Sequence, residues 1–182
     1  ALWPDALALC SWLAGQAGAM AGSAVLELGA GAGLCGLAAA ALGAQRAVLT
    51  DGSEDSLAAL ESNAARNSGC GWKAKVEVKK LVWGDKLIVS GGTEPEKFDL
   101  VIGSDLVYRE MTPSSAQLLF DTVDAALAPQ GGVGIRGDAA GDDASESGCS
   151  PGTVAGTAPA RFILSHCVRG VPDEGAAFAG HV

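Results

Sequence analysis

The stretch VLELGAGAGLCG has the residue types and spacing of a ligand-binding turn. A short apolar strand leads into closely spaced glycines and then into an alanine-rich helix, and such turns commonly hold a nucleotide or a nucleoside. Gly31, Gly33 and Gly36 fit the G-x-G-x-x-G pattern of dinucleotide sites. Glu27 and Gly29 begin a second pattern, an acidic residue followed by G-x-G-x-G, which indicates a different ligand. Taken alone, the glycines are also compatible with a plain tight turn.

Asp51 supports a nucleoside ligand without choosing between the two patterns. It ends the apolar stretch RAVLTD and follows Gly31 by about 20 residues, the separation expected of the acidic residue in a dinucleotide site. A carboxylate at the end of that strand accepts hydrogen bonds from ribose hydroxyls, which both kinds of ligand carry.

Glu27 favours a cationic ligand. It lies near the end of an otherwise apolar strand, where a carboxylate is costly unless it has a partner. The phosphates of a dinucleotide would repel it, whereas S-adenosylmethionine carries a sulfonium and an ammonium group and no phosphate. The second pattern therefore predicts S-adenosylmethionine. A solvated strand end is the simpler alternative for Glu27 considered by itself.

Asp105 and Tyr108 form a second candidate group, just beyond the apolar run LVIG. An apolar run of this kind is typical of a parallel strand buried on both faces, and functional side chains collect where such strands end. We therefore expect these two residues and the glycine turn to meet around one pocket. The alternative is a helix cap at Asp105 and a half-buried tyrosine.

Strands and helices alternate along the chain, which predicts an α/β fold with a doubly wound, mostly parallel sheet and helices on both faces. Strands are predicted over residues 24–28, 46–51, 73–83, 97–108 and 161–168, and helices over residues 5–14, 34–42, 53–69, 114–127 and from 173 onward. We expect a single domain over residues 1–182 with a flexible insertion at 136–160, because that segment is rich in Gly, Ala, Ser, Asp and Pro.

Composition excludes several classes of function. The net charge of −9 and the lack of a Lys/Arg cluster argue against a nucleic-acid partner. The longest apolar run, residues 34–44, is too short to cross a bilayer, so no membrane partner is predicted. The five cysteines are scattered without C-x-x-C spacing, which predicts no metal site and no disulfide framework. A cytoplasmic monomer is expected, with the nucleus as the alternative location.

Four segments, in order and spacing, resemble methyltransferase family 16, a group of seven-strand methyltransferases that includes many protein-lysine methyltransferases. They are LWPDALAL, LELGAGAGLCGL, LVWGD and SDLVY. Asn63 and Asn67 also match a recurrent pair, and the resemblance covers residues 2–132. SDLVY is the most specific segment, since it carries the Asp-x-x-Tyr signature after the fourth strand.

The resemblance implies a Rossmann-like, S-adenosylmethionine-dependent methyltransferase that modifies a side-chain nitrogen of a protein substrate, with lysine favoured. It implies that Asp105 and Tyr108 lie beside the reactive methyl group and orient the incoming nitrogen. The cofactor-binding residues that it implies, together with those predicted above, are Trp3, Glu27, Gly29, Gly31, Gly33, Asp51, Trp83 and Ser104. Ordinary core packing is the alternative for the two tryptophans.

The sequence departs from the family pattern in a minor way at Ser104, and the expected truncation is the departure that keeps another function open. Ser104 stands where the family more often has alanine, and the chain is expected to be truncated before the family's last strands, normally an antiparallel pair. A non-catalytic binding protein with the same fold is therefore one alternative. A NAD-dependent oxidoreductase using the first glycine pattern is the other.

Overall fold

The computed structural model describes residues 4–88, 92–108, 110–128, 161–166 and 178–179. The elements in chain order are α1 (Pro4–Gly15), α2 (Ala17–Met20), β1 (Ala24–Leu28), α3 (Leu34–Ala41), β2 (Arg46–Asp51), α4 (Glu54–Asn67), β3 (Lys75–Lys80), β4 (Leu100–Ser104), α5 (Pro113–Ala126), β5 (Arg161–His166) and β6 (Phe178–Ala179).

The strands form one sheet in the order β3-β2-β1-β4-β5-β6. The first five pair in parallel, and β6 runs antiparallel to β5. Because the chain builds outward from β1 to β3 and then returns to start β4 on the other side of β1, the strand order reverses between β1 and β4. Ligands of doubly wound sheets bind at the carboxyl ends of the strands beside such a reversal. The predicted fold class is confirmed.

Both faces of the sheet are covered, which explains the predominantly apolar central strands. Side chains alternate across a strand, so Val25 packs beneath α1 and α3 whereas Leu26 packs on the opposite face. Leu9 and Leu13 of α1 belong to the first cluster, and Leu119 of α5 belongs to the second.

Arg46 ties the segment between β3 and β4 to the amino-terminal end of the sheet. Its guanidinium contacts Glu77 at 2.6 Å and Glu96 at 2.8 Å, and Lys79 reaches Glu96 at 2.7 Å. The Arg46 guanidinium lowers the pKa of Glu77 through its hydrogen bond and its charge. These ion pairs position the connection that carries the LVWGD segment.

Thr112 and Pro113 set the start of α5. The Thr112 Oγ1 accepts the backbone N–H of Ser115 at 3.1 Å, and the proline occupies the first turn, where its missing N–H costs nothing. This cap orients the helix that covers the LVWGD segment.

Two predicted strands are shorter in the structure. They are Lys75–Lys80 and Leu100–Ser104, instead of residues 73–83 and 97–108. Before β4, the Phe98 N–H donates to the Ala126 carbonyl at 2.9 Å rather than to a strand of the sheet, and after it the positive φ of 56° at Asp105 turns the chain out of the sheet. The helix α2 was not predicted.

The helix predicted from residue 173 onward is wrong where the structure describes it, since Phe178 and Ala179 pair with β5 as an antiparallel strand. The open backbone groups of an edge strand favour a partner over the helical preference of an alanine-rich segment. β6 thus supplies a short antiparallel strand where none was expected. The predicted insertion at 136–160 lies outside the described residues.

Within the described ranges, no helix is long and apolar enough to cross a membrane. The same part of the chain holds no cluster of three or more His, Cys, Asp or Glu side chains suited to a metal ion.

Candidate active site

The glycine loop between β1 and α3, residues 29–33, is held from two sides. The Gly31 N–H donates to Asp51 Oδ2 at 2.9 Å, which joins the loop to the end of β2. The Asn63 Nδ2 donates to the Ala32 carbonyl at 2.9 Å, which joins it to α4. Asn63, one of the paired asparagines, therefore fixes the backbone of the ligand-binding turn.

Gly31 and Gly33 both have a positive φ, which favours glycine, but their surroundings differ. A Cβ at Gly33 would collide with Leu60 and lie 2.8 Å from Leu49 Cδ2, so packing within the protein also disfavours a side chain there. A Cβ at Gly31 would meet nothing within 4 Å, although its φ of +52° favours glycine. The open side of Gly31 faces a cavity, and its bare backbone leaves room for a ligand.

Glu27 is buried in the floor of this site rather than solvated at a strand end. Only 2% of the residue is exposed, and its Oε2 accepts the Gly36 N–H at 2.9 Å. Burial raises the pKa of Glu27 to about 8, against the opposing effect of that hydrogen bond. A carboxylate with such a pKa gains strongly from a cation placed beside it.

A cavity of about 250 Å³ opens above Glu27 at the carboxyl edge of the sheet. Its lining includes the glycine loop, Asp51 from β2, and Ser104 and Asp105 from the end of β4. Three carboxylates line it, and no lysine or arginine is among the described lining residues. The electrostatic character of this cavity suits a ligand with positive charge.

A second cavity of about 300 Å³ adjoins the first and shares Gly29 and Asp51 with it. Trp83 and Tyr108 line this second space, together with Leu118 of α5. Asp51 therefore lies where the two cavities meet. Glu27 and Asp105 line only the first cavity, whereas the aromatic residues Trp83 and Tyr108 line only the second.

Trp83 is half-buried against the hydrophobic cluster beneath α5, with part of its surface in the second cavity. The following residue anchors it, since the Gly84 N–H donates to Thr122 Oγ1 at 2.7 Å. Tyr108 is 49% exposed at the rim of the same cavity. Trp83 therefore packs against the core and also lines the second cavity.

Among the residues that the structure describes, Asp105 is the one non-glycine residue with a positive φ, which is 56°. Its N–H donates to the Ser165 carbonyl of β5 at 2.8 Å, which holds the turn in place. Asp and Asn tolerate this left-handed conformation better than most residues, and backbone strain of this kind is concentrated at functional sites. The turn places the Asp105 side chain in the wall of the first cavity.

The comparison with protein families decides what kind of site this is. The lysine methyltransferase family model matches residues 1–135, which is most of the chain. The chain belongs to the lysine methyltransferase family. This confirms the predicted family and favours the second glycine pattern over the dinucleotide pattern.

Curated relatives support the same assignment. The chain is 39% identical over 121 residues to protein N-lysine methyltransferase METTL21A of Danio rerio, covering 65% of this chain and 52% of that protein. It is 33% identical over 132 residues to EEF1A lysine methyltransferase 3 of Mus musculus, covering 72% of this chain and 52% of that protein. The chain spans about half the length of these relatives.

Solved structures support the fold. Glycopeptide N-methyltransferase MtfA superimposes with a TM-score of 0.57 at 17% identity, covering 90% of this chain and 54% of that chain. Magnesium protoporphyrin IX methyltransferase from Synechocystis PCC 6803, solved with bound SAH, gives a TM-score of 0.57 at 18% identity, covering 88% of this chain and 53% of that chain.

The structure brings most of the predicted site residues together. The two adjoining cavities contain Glu27, Gly29, Gly31, Asp51, Trp83, Ser104, Asp105 and Tyr108. Gly33 packs behind the loop against Leu49 and Leu60 and does not line either cavity. Trp3 lies outside the described residues, so its role stays a prediction.

Several lining residues were not predicted, among them Ser56 and Leu106. Ser56 lies in the first turn of α4, shortly after Asp51, and that position is the signal that could have found it. Leu106 follows Asp105 and fills the space beside Gly29, where a Cβ would lie 2.5 Å from Leu106 Cδ2. No local pattern in the sequence indicates that contact, because it joins two loops distant in the chain.

Proposed function

We propose that this protein is an S-adenosylmethionine-dependent methyltransferase that transfers a methyl group to a lysine side chain of a protein substrate. The observation that carries the proposal is the composition of the first cavity. Glu27, Asp51 and Asp105 line it, and no cationic residue is among its described lining. A phosphate-bearing dinucleotide would meet repulsion there, whereas a sulfonium and an ammonium group would be attracted.

The residues fit the parts of S-adenosylmethionine. Asp51 would accept hydrogen bonds from the ribose hydroxyls at the junction of the two cavities. The ring of Trp83 would offer an apolar face to the adenine in the second cavity. Glu27 would face the ammonium group of the amino-acid portion, and the open side of Gly31 would admit the ligand next to the backbone.

When bound, the cofactor supplies an electrophilic methyl group on its sulfonium. The protein must then present a neutral, desolvated nitrogen in line with the leaving sulfur. Asp105 in the cavity wall and Tyr108 at the rim are placed to orient a nitrogen that arrives from solvent. An ionised Asp105 would also favour the ammonium form, so positioning is the role assigned to it.

The protein substrate follows from the relatives, which are named protein N-lysine methyltransferases. An acidic chain, with a net charge of −9, is compatible with a lysine-bearing partner. A monomeric state and a cytoplasmic or nuclear location remain part of the proposal.

Calorimetry tests the cofactor. S-adenosylmethionine, its demethylated product and NAD are titrated in parallel into the protein. Binding of the first two without NAD is the expected result, and binding of NAD alone would contradict the proposal. Lysine methylation is tested by transfer of labelled methyl from the cofactor into protein, followed by identification of the modified residue.

A further inference from the structure

Gly36 donates its backbone N–H to the Oε2 of Glu27 at 2.9 Å. Both residues are buried, and Gly36 lies in the first turn of α3 directly behind the glycine loop. Cys35 of the same helix also interacts with this carboxylate through its backbone and its thiol, but the Gly36 N–H makes the strongest of these contacts. The carboxylate at the floor of the cavity is therefore held from behind by a residue that does not line the cavity.

Space, rather than backbone conformation, requires glycine at position 36. Its φ lies outside the positive region, so any L-residue fits the backbone. A Cβ would lie 2.6 Å from Glu27 Oε2 and 2.7 Å from Leu49 Cγ. Glycine in a helix costs about 1 kcal/mol relative to alanine. Glycine is nevertheless present at this helical position, where a buried carboxylate lies close to the backbone.

We propose that Gly36 is a positioning residue of the cofactor site, because its N–H fixes the Glu27 carboxylate and its missing side chain admits that carboxylate to its place. This inference rests on the proposed function, in which Glu27 faces the ammonium group of S-adenosylmethionine. Gly36 thus acts on the cofactor through Glu27. Gly36 is the last glycine of the G-x-G-x-x-G pattern, but its proposed role is to position Glu27, the acidic residue of the second pattern.

The physical consequence of a Cβ at this position follows from the contacts. The carboxylate must move away from α3 and loses its short contact with the Gly36 N–H. A buried carboxylate without that hydrogen bond holds its proton more firmly, which weakens its attraction for a cation. The loss is specific to ligands that carry the charged amino-acid portion.

Two ligands distinguish positioning from general damage. S-adenosylmethionine carries an ammonium and a sulfonium group, whereas 5′-methylthioadenosine keeps the adenosine and a neutral sulfur and lacks both charges. We expect Gly36→Ala to weaken binding of S-adenosylmethionine tenfold or more, at roughly the size of one charged hydrogen bond, and binding of 5′-methylthioadenosine less than about twofold. Glu27→Gln should show the same selectivity, and adding Gly36→Ala to it should produce little further loss.

Gly18→Ala is the matched control, because it adds a methyl group to another helical glycine with nothing within 4 Å of the new Cβ. Both affinities should be unchanged in it. The double variant Gly36→Ala/Leu49→Ala removes the Leu49 side chain that crowds the new methyl group. Its affinity for S-adenosylmethionine should still fall more than its affinity for 5′-methylthioadenosine.

Each remaining outcome is decisive. Equal losses for the two ligands, or no loss, would overturn the role of Gly36. If Gly36→Ala and the double variant both fail to fold while Glu27→Gln folds, packing alone requires the glycine and the inference is also overturned. A wild-type protein that binds neither S-adenosylmethionine nor 5′-methylthioadenosine would instead contradict the proposed function.

Discussion

Asp51 and Gly31 are joined by a hydrogen bond of 2.9 Å, in which the loop N–H donates to the carboxylate at the end of β2. The other carboxylate oxygen of Asp51 accepts the Ser53 N–H at 2.9 Å. One side chain therefore orders the glycine loop, fixes the start of α4 and lines both cavities. Its effect on ligand binding cannot be separated from its effect on the loop by a single measurement.

We expect Asp51→Ala to weaken S-adenosylmethionine binding more than tenfold, because a charged hydrogen bond to the ribose is worth about 1.5–3 kcal/mol. Stability should also fall by about 1–3 kcal/mol, since two backbone N–H groups lose their acceptor. Calorimetry and denaturant unfolding measure the two effects. Asp55→Ala is the control, since Asp55 is an exposed acidic residue of α4 that lines neither cavity. Unchanged affinity in Asp51→Ala would remove the ribose contact from the proposal.

The pH dependence of stability should reveal the burial of Glu27. Burial raises the pKa of Glu27 from 4.5 to about 8, so the folded protein holds a proton that the unfolded chain releases between these values. This contribution to stability is fully present below pH 4.5 and is lost as the pH rises through 8.

Relative to Glu27→Gln, the wild-type protein should therefore lose on the order of 3–5 kcal/mol between pH 4.5 and pH 9. Urea unfolding across this range measures the free energy of unfolding of both proteins. Taking the difference between them cancels the contribution of all other titrating groups. A difference that stays flat with pH would show that the carboxylate is solvated or already paired.

Trp83 can be tested by separating its apolar bulk from its ring. Trp83→Leu keeps most of the packing against the cluster beneath α5 and removes the flat aromatic face from the second cavity. We expect cofactor affinity to fall by about 5–100-fold, the size of one base–aromatic stacking contact. Stability should change by less than about 1.5 kcal/mol. The opposite result, lost stability with intact affinity, would assign Trp83 to the core alone.

The central strands could be predicted from sequence because both faces of the sheet are buried. The runs in β1, β2 and β4 are predominantly apolar, and a parallel sheet is the arrangement that needs such runs. The placement of Asp51 and Asp105 follows, since each ends one of these strands or comes directly after it.

Contacts between distant segments could not be predicted in this way. The burial of Glu27 by α3, the crowding of Gly33 by Leu60 and the packing of Leu106 against Gly29 depend on how helices and loops settle on the sheet. The short β6 is of the same kind, because pairing with the edge of β5 outweighs a local preference for helix.

Asp105 provides the test of chemistry. Its carboxylate lines the first cavity, and its backbone adopts a left-handed conformation with a φ of 56°. Asparagine tolerates that conformation, so Asp105→Asn should keep the turn and its hydrogen bond to Ser165. We expect S-adenosylmethionine affinity to remain within about twofold of wild type, while methyl transfer falls about 100-fold or more because the substrate nitrogen is no longer oriented.

The assay for Asp105→Asn is transfer of labelled methyl from S-adenosylmethionine into the proteins of a cell lysate, beside calorimetry on the same preparation. Glu110→Gln is the matched control, because Glu110 is an exposed acidic residue nearby that lines neither cavity. Full transfer by Asp105→Asn would refute its positioning role. If the wild-type protein binds the cofactor and transfers no methyl group, the result favours the alternative of a binding protein without catalysis, because the cofactor site would then be intact without turnover.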